Sequence, residues 1–211
     1  MRNSAPPLMH PLAKALLCAA LLASLSGCVG VVVGGAVMGA VATVDRRTLG
    51  AQTEDKAITV KAELQVPKIA GDDAHVNISS FNRKVLLSGE VRDEATRTKV
   101  EREVRGIEGV QSVANELEIA GPASYTSRSS DAIVTTKVKA SLVDMKTISA
   151  SSFKIVTERG TVYMMGRVTQ REGQVAADVA RGVSGVQRVV KIFEYMTEDE
   201  LREMSPPKPG L

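Results

Sequence analysis

"HVNISSFNRKVLLSGEV", residues 75–91, and "SFKIVTERGTVYMMGRV", residues 152–168, are two versions of one stretch, with Ile78 answering Ile155 and Gly89 answering Gly166. In each, apolar residues alternate along a first strand: Val76 and Ile78, then Phe153 and Ile155. A polar turn follows, "FNRK" at 81–84 and "TERG" at 157–160, and an apolar second strand leaves it, "VLLSG" or "VYMMG". Period-two alternation broken by a short polar turn is the pattern of a β-hairpin.

The duplication extends both ways. "VKAEL" at 60–64 recurs as "VKASL" at 138–142, and "RGIEGVQSV" at 105–113 as "RGVSGVQRV" at 181–189, the offset staying between 76 and 78 residues. Two copies are too few for a solenoid, so each must bury its own core. Ala57, Val60 and Leu64, and in the second copy Val134, Val138 and Leu142, recur at helical spacing and predict an opening amphipathic helix. After each hairpin a second helix is expected. Asp93 caps it in the first copy, with Val100, Val104 and Ile107 on its apolar face. In the second copy Thr169 and Glu172 form a capping-box pair ahead of Val175, Val179 and Val183. Gly106 or Gly109, and Gly182 or Gly185, can end these helices, and Val110 to Ile119 and Val186 to Tyr195 return as third strands. The unit is α-β-β-α-β, a small two-layer sandwich of the α+β class. Gly89, Gly166, Gly109 and Gly185 are read as structural, answering positive φ or close backbone approach.

Ahead of the repeats, Arg2 and Lys14 are the formal charges before an apolar stretch from Ala15 to Leu25, which has signal-peptide length. Leu25, Ser26, Gly27 and Cys28 resemble the lipobox of bacterial lipoproteins, which implies removal of residues 1–27 and acylation of Cys28. Export favours disulfides, but Cys18 would leave with the leader, and Cys28 has no neighbour to depress its pKa for catalysis or metal binding. Val29 stands where an aspartate would retain an enterobacterial lipoprotein at the inner membrane, so the rule points to the outer membrane. The run "VGVVVGGAVMGAVATV", 29–44, reads as part of an apolar tether over 28–52; fused to an uncut leader it would instead make a long hydrophobic anchor.

The formal net charge is +3, and removing the leader takes two basic residues and no acid, which leaves the remainder close to neutral. A generally basic nucleic-acid binder is excluded on that ground. His75 beside Asp72 and Asp73 could hold a metal weakly, but that close spacing suits a solvated loop better. No nucleophile elbow, phosphate loop or cysteine pair is present, so no enzyme, no cofactor, no metal and no small-molecule substrate are expected.

The element order, the strand-ending Gly89 and Gly166 and the G-x-x-G-V of both copies resemble the BON domain. With the lipobox, "DRRTLGAQTEDKAI" at 45–58, "TTKVKASL" and "VSGVQRV", the chain from Cys28 to Tyr195 is similar to the DolP family of dual BON-domain outer-membrane lipoproteins. The resemblance implies two tandem domains over 53–121 and 131–196, each with a three-stranded mixed sheet, joined by a linker at 122–130 and followed by a tail at 197–211. It implies a non-enzymatic, periplasm-facing lipoprotein that binds anionic, phosphatidylglycerol-like phospholipid, concentrates at division sites and maintains outer-membrane integrity.

In that family the opening helix of the second domain contacts the membrane. Here it would run from about Asp131 to Met145, with Ile133, Val134 and Met145 supplying apolar contact and Lys137, Lys139 and Lys146 supplying charge. Each lysine near an anionic leaflet contributes about 1 kcal/mol. Ile133 stands where the family has an amphipathic Trp, and this chain has no Trp. The bland alternative is that the helix only packs and its lysines only solvate. A second class of function is an adaptor holding envelope machinery, such as the outer-membrane β-barrel assembly complex.

Overall fold

The computed structural model describes residues 45–204, which belong to one compact unit, Thr43–Leu211. The expected leader, the acylated Cys28 and the final residues of the tail lie outside the described residues. The elements run α1 (Leu49–Ala70), β1 (His75–Phe81), β2 (Lys84–Val91), α2 (Glu94–Arg105), β3 (Ser112–Ile119), α3 (Tyr125–Asp144), a short 3₁₀ turn (Ala150–Ser152), β4 (Phe153–Glu158), β5 (Thr161–Thr169), α4 (Gln170–Arg181), β6 (Arg188–Met196) and α5 (Glu198–Met204). Two three-stranded sheets result, ordered β1-β2-β3 and β4-β5-β6, each with an antiparallel hairpin and a parallel third strand. The fold is α+β, and each module repeats the α-β-β-α-β order.

Each hairpin turns on two residues with positive φ: Asn82 (48°) and Arg83 (64°), then Arg159 (48°) and Gly160 (72°). Such turns match the twist of paired strands, but Arg83 and Arg159 have side chains that disfavour this conformation. Both turns are held by an aspartate on the opening helix. Asp55 accepts the backbone N–H of Asn82 at 2.7 Å and of Arg83 at 2.8 Å, and Asp131 accepts those of Arg159 and Gly160 at 2.9 Å each. Both aspartates are buried. Helix starts follow the expected chemistry: Asp93 accepts from Thr96 N at 2.7 Å, and Thr169 and Glu172 form a reciprocal capping box.

The buried face of α1 differs from the expected one. Ile58, Ala62, Val66 and Ala70 enter the core, whereas Ala57 is exposed and Val60 and Leu64 are 54% and 64% exposed. The identical letters of "VKAEL" and "VKASL" are therefore not equivalent in space. With Asp55 matched to Asp131, Ile58, Ala62 and Val66 correspond to Val134, Val138 and Leu142, a shift of two residues from the literal match. In α4 the alanines Ala176, Ala177 and Ala180 face the core, and Val175, Val179 and Val183 flank them. The N-terminal boundary also moves. Residues 45–52, expected as tether, belong to the fold, where Thr48 caps α1 and Arg47 joins Asp55 at 2.8 Å. Likewise α3 begins at Tyr125, inside the expected linker, and α5 occupies part of the expected tail.

Strand alternation gives each sheet two buried faces. Val85, Leu87 and Val91 pack under α1 and α2, and Val162, Met164 and Val168 under α3 and α4. The alternate residues meet across the modules: Phe81 and Leu86 pack on Tyr163 and Met165, with Ala114, Val156, Val190 and Ile192 around them. Around this third core Glu90 and Glu118 lie 3.6 Å from Arg159, and Asn82 donates to Glu194 at 2.6 Å. Arg46 fastens the chain's start to the second module through a two-pronged contact with Glu172, both distances 2.7 Å, and a bond to the Arg167 carbonyl at 3.1 Å. Burial alone would raise the Glu172 pKa, but the hydrogen bonds from Arg46 and from the Thr169 N–H outweigh it and hold the carboxyl below its ordinary value.

Asp131→Ala leaves two turn N–H groups without their acceptor and is expected to destabilise the protein by about 3 kcal/mol in urea denaturation, with Asp131→Asn intermediate. Arg46→Met removes one partner of a buried pair and is expected to lose about 3 kcal/mol at neutral pH. Because the folded-state pKa of Glu172 is depressed, the pair stabilises above the unfolded carboxylate pKa. The difference between wild type and variant should therefore shrink as pH falls through the acid range, measured by denaturation at a series of pH values.

Candidate membrane-binding surface

Helix α3 starts at the cap Ser124, whose hydroxyl accepts from Ser127 N at 3.2 Å, and rests on the second module through Asp131, Val134, Val138 and Leu142. Seating one stripe on the core forces the opposite side outward. That side carries Ile133, 57% exposed, with Lys137 one turn beyond it and Val143 on the flank. Lys139 is also exposed but stands about 120° around the helix from Ile133, and Lys146 is exposed just past the helix end.

One of the expected lipid contacts, Val134, is corrected by burial. Val134 is 5% exposed, committed to the core with Val138, and its Cγ2 fills the space beside Gly185. Met145 is half-buried against the same core. The Asp131 carboxylate does not offset these lysines, because it is consumed by the turn at Arg159 and Gly160. Asp144 is the remaining acid of this helix at the surface. Among the described residues none of Lys137, Lys139 and Lys146 has a carboxylate within ion-pair distance.

Tyr125 is a residue the sequence argument missed. It opens α3, 83% exposed, with the Arg128 guanidinium 4.5 Å from its ring centre. An aromatic ring with one polar end suits a membrane interface, a property Ile133 lacks. Tyr125 follows a run of small and polar residues that has the composition of a linker, and the Ser124 cap places it on the helix. The corresponding side of α1 is different: its exposed Val60 and Leu64 are accompanied by Lys61 paired with Glu108 at 3.3 Å and by Glu54 paired with Arg83.

The four glycines behave as backbone devices. A Cβ on Gly89, whose φ is +106°, would stand 2.1 Å from the His75 carbonyl oxygen, and one on Gly166 would stand 2.4 Å from that of Ser152. Gly109 and Gly185 take φ of +91° and +99° where the chain turns from helix to third strand.

Near His75 the module seam holds Glu90, Glu158 and Asn77. Burial pushes the Glu158 carboxyl above its ordinary value, even though Asn77 donates to it at 3.1 Å. His75 Nδ1 faces Glu90 at 3.5 Å. Among the described residues there is no group of three or more His, Cys, Asp or Glu arranged to hold a metal ion, and no helix is long and apolar enough to cross a membrane.

Comparison with known proteins adds to this geometry. The BON domain family model matches residues 55–121 and again 130–196. The outer membrane lipoprotein DolP of Haemophilus influenzae is 35% identical over 190 residues, covering 89% of this chain and 98% of that protein. The 21 kDa hemolysin of Actinobacillus pleuropneumoniae is 30% identical over 72% of this chain and 80% of its own. The osmotically-inducible protein Y of Escherichia coli is 28% identical over 64% of this chain and 70% of its own.

Proposed function

Because this chain belongs to the BON-domain family and, within it, to the DolP family of outer membrane lipoproteins, we propose that its second module binds anionic phospholipid through the outward side of α3. In this reading acylated Cys28 holds the protein on the outer membrane facing the periplasm, and the helix orients the folded unit against a leaflet it already touches. The observation that carries the reading is the pairing of exposed Ile133 with Lys137 on a helix whose other side is fully committed to the core. Exposed apolar atoms gain by entering the acyl boundary, and unneutralised lysines gain beside phosphate. Tyr125 and Val143 extend the contact along the helix. Maintenance of envelope integrity, with concentration at division sites, is the cellular role we attach to this binding. The mechanism is adsorption and needs no bond-making step.

The test is flotation of the fragment 43–211, which contains all three cores, on vesicles with and without phosphatidylglycerol. Salt-sensitive binding to anionic vesicles is expected. Lys137→Glu changes the local charge by two and should weaken partitioning by about thirtyfold, and Ile133→Ser should weaken it further without changing salt sensitivity. A folded wild-type fragment that fails to float would sink the reading. Co-purification of the full chain with the β-barrel assembly machinery, unaffected by these changes, would put the adaptor reading in its place.

A further inference from the structure

A cleft between the modules is lined by cationic side chains from both of them. It has a volume of about 600 Å³ and is lined by Arg47, Lys56, Val60, Lys139, Phe153 and Lys154, among others. Its floor is apolar, and its cations come from both modules: Arg47 and Lys56 from the start of the first, Lys139 and Lys154 from α3 and β4 of the second. The acid in its lining is Asp55, already engaged by Arg47, Ser80 and the turn at Asn82 and Arg83. Arg47 has two partners, Asp45 and Asp55, and stacks 4.4 Å over Phe81. None of the three lysines has such a direct partner, although the Asp55 and Glu63 carboxylates act on Lys154 at longer range. Among the described residues, none of them has a carboxylate within ion-pair distance.

Lys154 is the informative member. It is half-buried, and its Nζ reaches across the seam to the Ser80 carbonyl at 3.2 Å, one bond for a group with three N–H donors. Burial first, and then the Arg47 charge, hold its pKa below the ordinary lysine value. A half-buried ammonium facing two further cations is costly unless an anion joins them, and the fold nevertheless holds these side chains around an open space.

We propose that this cleft is a binding site for a phosphate ester, with the phosphate held between Lys139 and Lys154. Lys56 closes the ring of positive charge, and Val60 and Phe153 accept the apolar part of the ligand. The volume falls in the range of small-ligand sites. The site lies to one side of the face that carries Ile133 and Lys137: Lys139 stands about 120° around the helix from Ile133, beside Val143 at the edge of that face. A headgroup drawn from the bilayer and a soluble glycerophosphate share this chemistry.

The experiment is a chemical-shift titration of the 43–211 fragment with three probes: inorganic phosphate, sn-glycerol 3-phosphate and monomeric short-chain phosphatidylglycerol. Saturable shifts at Lys154, Ser80 and Lys139 are expected. Tighter binding of the short-chain lipid would assign the site to a headgroup, and equal binding of glycerol 3-phosphate to a soluble ester. Lys154→Met and, separately, Lys139→Glu should each weaken binding by about tenfold or more, the loss of one charge-assisted hydrogen bond. Lys139 is at the surface, so its variant decides the matter should Lys154→Met fail to fold. Ile133→Ser should leave this titration unchanged while reducing vesicle flotation, which separates the cleft from the membrane surface. No shift with any probe, or unweakened binding in both folded variants, would overturn the proposal.

Discussion

Two buried aspartates set the frame of the molecule. Asp55 and Asp131 each reach from an opening helix to the tip of a hairpin and satisfy both turn N–H groups there. A tight turn in the left-handed region is locally unfavourable for a residue such as Arg83 or Arg159, so an acceptor at its tip fixes the turn and hence the strand register. With the register fixed, Leu87 and Met164 fall on the helix side of their sheets, and Leu86 and Met165 on the other. The same contact fixes the rotation of the helix, because the residue that touches the turn must face inward. On α3 that rotation is what leaves Ile133 and Lys137 outside.

Much of this was legible in the sequence. The duplicated hairpins, the caps at Asp93 and Thr169 and the glycines at strand ends carry local chemical signals that read the same before and after folding. The face of α1 was misread because Val60 and Leu64 look more like core than Ala62 does. A rank of hydrophobicity cannot say which stripe touches the sheet when the true stripe contains an alanine and an aspartate. Matching Asp55 to Asp131 supplies the missing alignment, a polar anchor outranking four matched letters.

The surface of α3 was partly legible for the same reason. The helical spacing of Val134, Val138 and Leu142 leaves Lys137 off their stripe, but Val134 was assigned both to the core and to the membrane, and the helix can give it to one alone. Tyr125 and the cleft were hidden for different causes. Tyr125 follows a stretch of small polar residues that reads as linker. The cleft is assembled from residues far apart in sequence, Lys56 and Lys154 among them, and exists through the docking of two sheets, for which alternation gives no partner.

That docking has a consequence for how copies of the chain treat one another. The outer face of the first sheet presents Glu90, Glu116 and Glu118, and these meet Arg159 and Arg188 from the second module. Two first modules brought together would set carboxylates against carboxylates, so each half prefers the opposite half. A neighbouring molecule could in principle offer that opposite half, exchanging modules reciprocally. Only Ala120 to Ser124 separate β3 from α3, and they hold the chain's own second module at an effective concentration in the millimolar range. Intramolecular closure therefore wins against any neighbour present well below that concentration.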